Sequence, residues 1–155
     1  MKKMRNFIFL FLSVLFLAGC GSGNKPISGT VTYTDDGTPV SAGTVVFDDG
    51  KSLARGTIQP DGKYVMGFDK ATNGVPPGEY TVAIAAAFEL LPNPDNLYPP
   101  PSVQLIDPKY ADKNTSGMTF TVDGKQRVFD IQVDRAKPAD REIQVERGSQ
   151  YRMSR

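Results

Sequence analysis

The chain lacks histidine and tryptophan altogether and has one cysteine in 155 residues. Without histidine there is no Ser-His or Cys-His catalytic pair and no imidazole-held metal. A lone cysteine excludes an internal disulfide and a thiolate cluster. Net charge is also scarce, with 18 Lys and Arg against 17 Asp and Glu, a balance of +1. Nucleic-acid binding calls for a basic face with stacking aromatics, and this balance gives no case for it. No residue pattern asks for a metal or another cofactor. What remains is one domain's length of chain that must hold together by packing.

The N-terminus stands apart from the fold. Lys2, Lys3 and Arg5 precede the uncharged run from Phe7 to Gly19, which is 13 residues long. As a helix it would reach about 20 Å at ~1.5 Å per residue, short of the roughly 30 Å bilayer core. It therefore reads as the apolar region of a secretory signal and not as a resident span. The run ends in Leu17-Ala18-Gly19-Cys20, which resembles the bacterial lipobox. The resemblance implies cleavage between Gly19 and Cys20 and a diacylglycerol thioether on Cys20. Gly21 follows where the related sorting rule would use aspartate for inner-membrane retention, so the outer membrane is favoured. Residues 1–19 are thus expected to be a lipoprotein signal peptide and 20–26 a tether.

Removing 19 residues leaves 136, with 15 basic and 17 acidic side chains, a net of −2. Twelve of 13 valines stay in this part but only five of nine leucines, and four of those five lie between Leu90 and Leu105. Val, Ile, Tyr, Phe and Thr dominate the regular stretches, which is strand composition. Period-2 alternation agrees. It marks strands at Ile27 to Tyr33, around Val45 and Phe47, from Ser52 to Gln59, and through Tyr64, Met66 and Phe68. Three more follow at Tyr80 to Ile84, Met118 to Val122, and Phe129 to Val133. Asp-Gly pairs at 36–37, 49–50, 61–62 and 123–124 punctuate the pattern as type I′ hairpin turns. The expected fold is all-β, a seven-stranded sandwich over residues 27–133.

Several of these stretches also carry a family resemblance. Ile27-Ser-Gly-Thr-Val31, Asp36-Gly37-Thr38-Pro39-Val40, Gly43, Val45 and Phe47 resemble the opening of a carboxypeptidase regulatory-like, transthyretin-like domain. Thr57 with Asp61-Gly62-Lys63-Tyr64, and Val75-Pro76-Pro77-Gly78-Glu79-Tyr80-Thr81-Val82, are similar to its later signatures. Pro108-Lys109-Tyr110-Ala111-Asp112 and Thr115-Ser116-Gly117-Met118 narrow the likeness to small lipoproteins of that kind, abundant in planctomycete-like bacteria. The resemblance covers residues 17–133. It implies a prealbumin-like sandwich with no activity of its own, serving as a structural or protein-interaction module. An enzymatic relative of that fold, 5-hydroxyisourate hydrolase, builds its site on histidines, so Arg147-Gly148-Ser149 is only a chance echo of it. The acidic pairs Asp35/Asp36 and Asp48/Asp49 fall in turns, where aspartate caps backbone N–H groups. No catalytic residue and no metal ligand is therefore named.

Function is expected in the irregular parts. Residues 88–110 set Leu90, Leu91, Leu97, Val103, Leu105 and Ile106 among Pro92, Pro94, Pro99, Pro100, Pro101 and Pro108. A connection this long without secondary structure is uncommon in a compact domain and tends to be functional. Its aromatics, Phe88, Tyr98 and Tyr110, are the candidate contact residues for an envelope protein. The competing reading is that the segment folds back over an open end of the sandwich. A carbohydrate-binding module is the alternative function. It would need Tyr98 and Tyr110 exposed on a common face, and the lack of tryptophan weighs against it. The charged tail, 134–155, is expected to be a solvated extension or an edge strand. The reading as a whole is a non-enzymatic, lipid-anchored envelope protein whose other partners are a protein or a glycan.

Overall fold

The computed structural model describes residues 23–94, 96 and 100–140. Seven strands form two sheets. The first has the order β4 (Lys63–Val65), β1 (Ser28–Tyr33), β9 (Ile131–Val133). The second has β3 (Leu53–Thr57), β2 (Thr44–Asp48), β5 (Gly78–Ala85), β8 (Met118–Val122). Alternate residues point inward: Val31 and Tyr33, Val45 and Phe47, Tyr80, Val82 and Ile84, Phe120 and Val122, Ile131 and Val133 are all buried. Threonine is the commonest outward residue, at 30, 32, 44, 57, 81, 119 and 121, so one face of each sheet is wet, as half-buried strands require. The architecture is the all-β sandwich that the alternation predicts.

Three features depart from the sequence reading. β9 does not hairpin back onto β8; it crosses to the other sheet and pairs parallel with β1, Val31 opposite Ile131 and Tyr33 opposite Val133. The residues of 88–110 are also not an unstructured connection. β6 (Phe88–Leu90) and β7 (Ser102–Gln104) form a two-stranded ribbon, and Pro108–Ala111 makes a short 3₁₀ helix. The turns differ in kind as well. Gly37, Gly50, Gly62 and Gly124 have positive φ, but their preceding aspartates do not. A type I′ turn needs both. The aspartates serve instead as side-chain acceptors: Asp36 from the Thr38 N–H at 2.9 Å, Asp61 from Lys63 at 3.1 Å and Asp123 from Lys125 at 2.8 Å.

The domain limits shift outward too. Lys25 exchanges backbone hydrogen bonds with Val75 at 2.7 and 2.8 Å, so the expected tether is already paired before residue 26. At the other end Asp134 to Ala136 pairs with Leu105 to Asp107, and Ala136 is buried. The first residues of the expected tail are part of the fold.

The crossing of β9 works because the chain is thin where it must be. A Cβ on Gly29 would stand 2.0 Å from the Phe129 carbonyl oxygen and 3.0 Å from the Tyr64 hydroxyl. The buried Tyr64 hydroxyl donates to that same carbonyl, across from β4 to the lead-in of β9. Phe129 then packs against Phe120 with ring centroids 4.6 Å apart and the planes tilted by 37°, filling the gap between β8 and β9. Gly29→Ala should push the Phe129 segment off β1, lowering stability by about 3 kcal/mol, near the upper end for overpacking. Urea unfolding checks this, with Tyr64→Phe expected to cost only about 1 kcal/mol for its hydrogen bond.

Candidate interaction surface

The register fixes two poles. β1 starts at Ser28, with Val65 and Val128 as its neighbours, and beside them Lys25 pairs with Val75. This is the entry pole. Five residues later, about 17 Å at ~3.3 Å each, β1 ends at Tyr33 beside Val133. The ribbon grows from that second pole. At the end of β5, Ala86 has φ +52, and this left-handed residue turns the chain out of the sheet into β6. Ala87 and Ile106, at the ribbon's base, are buried.

Beyond that base the ribbon is exposed. Phe88 pairs with Gln104, Glu89 with Val103 and Leu90 with Ser102, and Leu91 N–H donates to Pro101 O at 2.8 Å. Phe88, Leu90 and Leu91 are 40%, 60% and 38% exposed. Neither large sheet extends its ladder to β6 or β7. Three neighbouring large apolar side chains are thus held in water on paired backbone, an arrangement characteristic of contact surfaces.

A charged clasp holds the ribbon's base. Residues 105–107 pair with 134–136, and Arg135 fastens the latter to the turn after β1. Its Nε donates to Asp35 Oδ2 at 2.9 Å, and Nη2 donates to Asp36 Oδ2 at 2.7 Å and Thr38 Oγ1 at 2.8 Å. The guanidinium lies 3.6 Å from the centre of the Tyr33 ring. Asp134 Oδ2 accepts from Lys109 Nζ at 2.6 Å and from the Tyr110 hydroxyl at 3.1 Å, while its Oδ1 accepts from Thr34 at 2.8 Å. Asp36 is lowered from its ordinary 3.8 to about 2, chiefly by the Thr38 hydroxyl and N–H, with Arg135 adding to them. Asp134 also falls to about 2, chiefly through Lys109, then Thr34 and Tyr110.

The candidate residues from sequence separate here. Phe88 is on the exposed ribbon. Tyr110 is not a contact residue: only 8% exposed, it packs in the core, and its hydroxyl is spent on Asp134. Proline at the first position of its 3₁₀ helix and the Asp107 cap, accepting from Lys109 N–H at 3.0 Å, turn its ring inward. Tyr98 and the processing residues Gly19 and Cys20 lie outside the described residues, as does 141–155. Sequence reading passed over Leu90 and Leu91 as surface residues, since only the pairing of β6 with β7 shows which apolar side chains stay out.

An open groove of about 550 Å³ over the four-stranded sheet is lined by Asp48, Glu79, Thr81, Lys113, Thr119 and Thr121. Lys113 Nζ bonds Asp48 Oδ2 at 2.7 Å across it, and that bond is the main cause that lowers the Asp48 carboxyl. A general acid at neutral pH needs its pKa raised toward 7; Asp36, Asp48, Asp49, Asp61, Asp123 and Asp134 all move the other way.

No family model matches the chain, and no curated protein matches it. Among solved structures it is similar to the major pilin subunit of Bacillus cereus, at 13% identity and a TM-score of 0.46. That alignment covers 74% of this chain and 30% of the pilin, so the chain spans under a third of that protein's length.

The clasp predicts an acid-sensitive base. Carboxylates depressed in the folded state stabilise it fully above their unfolded pKa and lose that contribution as pH falls through the folded one. For Asp36 and Asp134 the window runs from 3.8 down to about 2. Urea midpoints measured across it should fall for the wild type and fall less for Asp36→Asn/Asp134→Asn.

Proposed function

We propose that this is a lipid-anchored protein of the bacterial cell envelope. It carries a carboxypeptidase regulatory-like sandwich that acts as a non-enzymatic interaction module, with the β6–β7 ribbon as its contact surface. The observation that carries the reading is the exposure of Phe88, Leu90 and Leu91 together, at the pole away from the chain's entry. A domain tethered through Cys20 would present that pole outward. Aromatic and aliphatic anchors on a pre-ordered ribbon lose little entropy on docking. The depressed carboxylates and the lack of histidine support the non-enzymatic part. Anchoring and envelope location rest on the lipobox-like Leu17 to Cys20 and on the preceding signal-like run.

The carbohydrate-binding alternative loses one of its two rings, because Tyr110 is buried. A protein partner is therefore the reading advanced.

The test is a cross-linking pull-down from native envelopes with three chains. Leu90→Asp should change stability by less than about 1 kcal/mol, as for an exposed site, yet abolish recovery of the partner that the wild type captures. Thr121→Asp, on the exposed outer face of β8, should leave recovery unchanged. Equal recovery by all three chains contradicts the proposal.

A further inference from the structure

We infer that the entry pole is a membrane-facing surface that rests on a bilayer bearing anionic headgroups. The inference builds on acylation of Cys20 as proposed above. Five residues lead from Cys20 to Lys25, whose backbone is paired to Val75. At no more than ~3.6 Å per residue they reach about 18 Å at full stretch. An acylated Cys20 sits at headgroup level, so the entry pole stays within that distance of the lipid.

What this pole presents suits the neighbour. Val65, Phe68 and Val128 are 46%, 39% and 53% exposed. Val65 and Val128 flank Ser28 on either side, as its partners in β4 and in the segment leading to β9. Phe68 follows Gly67, which bridges Gly74 next to the Val75–Lys25 pair. Its N–H donates to Asn73 Oδ1 at 2.8 Å, so the exposed ring stands on a closed loop. Lys70, Lys125 and Arg127 are exposed on the same loops, and Lys25 leads in between them. The acids among them are Asp69, bonded to Asn73, Asp123, which accepts from the Lys125 N–H at 2.8 Å, and Asp130, which accepts from the Thr30 N–H at 2.9 Å. Four basic residues thus stand against three acidic ones around three exposed apolar side chains, and the carboxylates of all three acids already accept hydrogen bonds from the protein. Basic residues ringing an aromatic and aliphatic patch are the chemistry of an interfacial lipid contact. The ribbon's apolar set, by contrast, surrounds Glu89, which an anionic surface repels.

The absence of tryptophan makes the test clean, because Phe68→Trp introduces a sole indole. The full acylated chain is reconstituted in phosphatidylcholine–phosphatidylglycerol vesicles with brominated acyl chains. The indole of Phe68→Trp should be quenched and blue-shifted, and that of Leu90→Trp should not. Adding Lys125→Glu and Arg127→Glu should reduce the quenching. So should raising salt from 0.1 M to 1 M, which shortens screening from about 10 Å to about 3 Å. Quenching of Phe68→Trp no greater than that of Leu90→Trp overturns the inference. Mass spectrometry of Cys20 reads the anchor separately. If Cys20 is unmodified the anchor fails, and Cys20→Ser/Phe68→Trp mixed with the same vesicles at low salt decides the surface: retained quenching supports it, and no quenching overturns it.

Discussion

The parallel pairing of β9 with β1 is the constraint on which the other features depend. It closes one side of the sandwich and directs the chain in and out at opposite ends of the same strand pair. It also puts Asp134 and Arg135 beside the turn that follows β1, where the clasp forms. A hairpin return beside β8 would have carried Arg135 along the other sheet. The pairing needs Gly29, since the Phe129 carbonyl approaches β1 where any side chain would sit.

From that closure the division of the surface follows. The clasp holds 134–136 against 105–107, and this fastens the base of a ribbon that is otherwise outside both sheets. Exposed surface ion pairs contribute little one at a time. Here several charged groups share Asp134 or Arg135, and the Arg135 plane lies on the largely buried Tyr33 ring, so geometry and not count gives the clasp its effect. One pole then offers apolar side chains around a glutamate, and the other offers them among lysines and an arginine.

Much of this was legible in the sequence, and the failures have physical reasons. Seven strands followed from alternation because each has a wet face, as in Thr30 and Thr32 beside Val31 and Tyr33. Strand partnership did not follow, since alternation says which way a side chain points and nothing about the neighbouring strand. The ribbon strands are three residues each, Phe-Glu-Leu and Ser-Val-Gln, too short to show a period and set among prolines. Tyr110 looked like a surface aromatic because its partner, Asp134, is 24 residues away in sequence. The Asp-Gly pairs gave the right turn positions with the wrong turn type, because aspartate caps a turn without entering the left-handed region.

The central claim is that the two poles face different neighbours. Photo-cross-linking in native envelopes tests it most directly, with a photoreactive residue placed at position 90 in one chain and at position 128 in another. The account predicts protein adducts from position 90 and lipid adducts from position 128. Lipid adducts from position 90, or the same protein adducts from both positions, would contradict it.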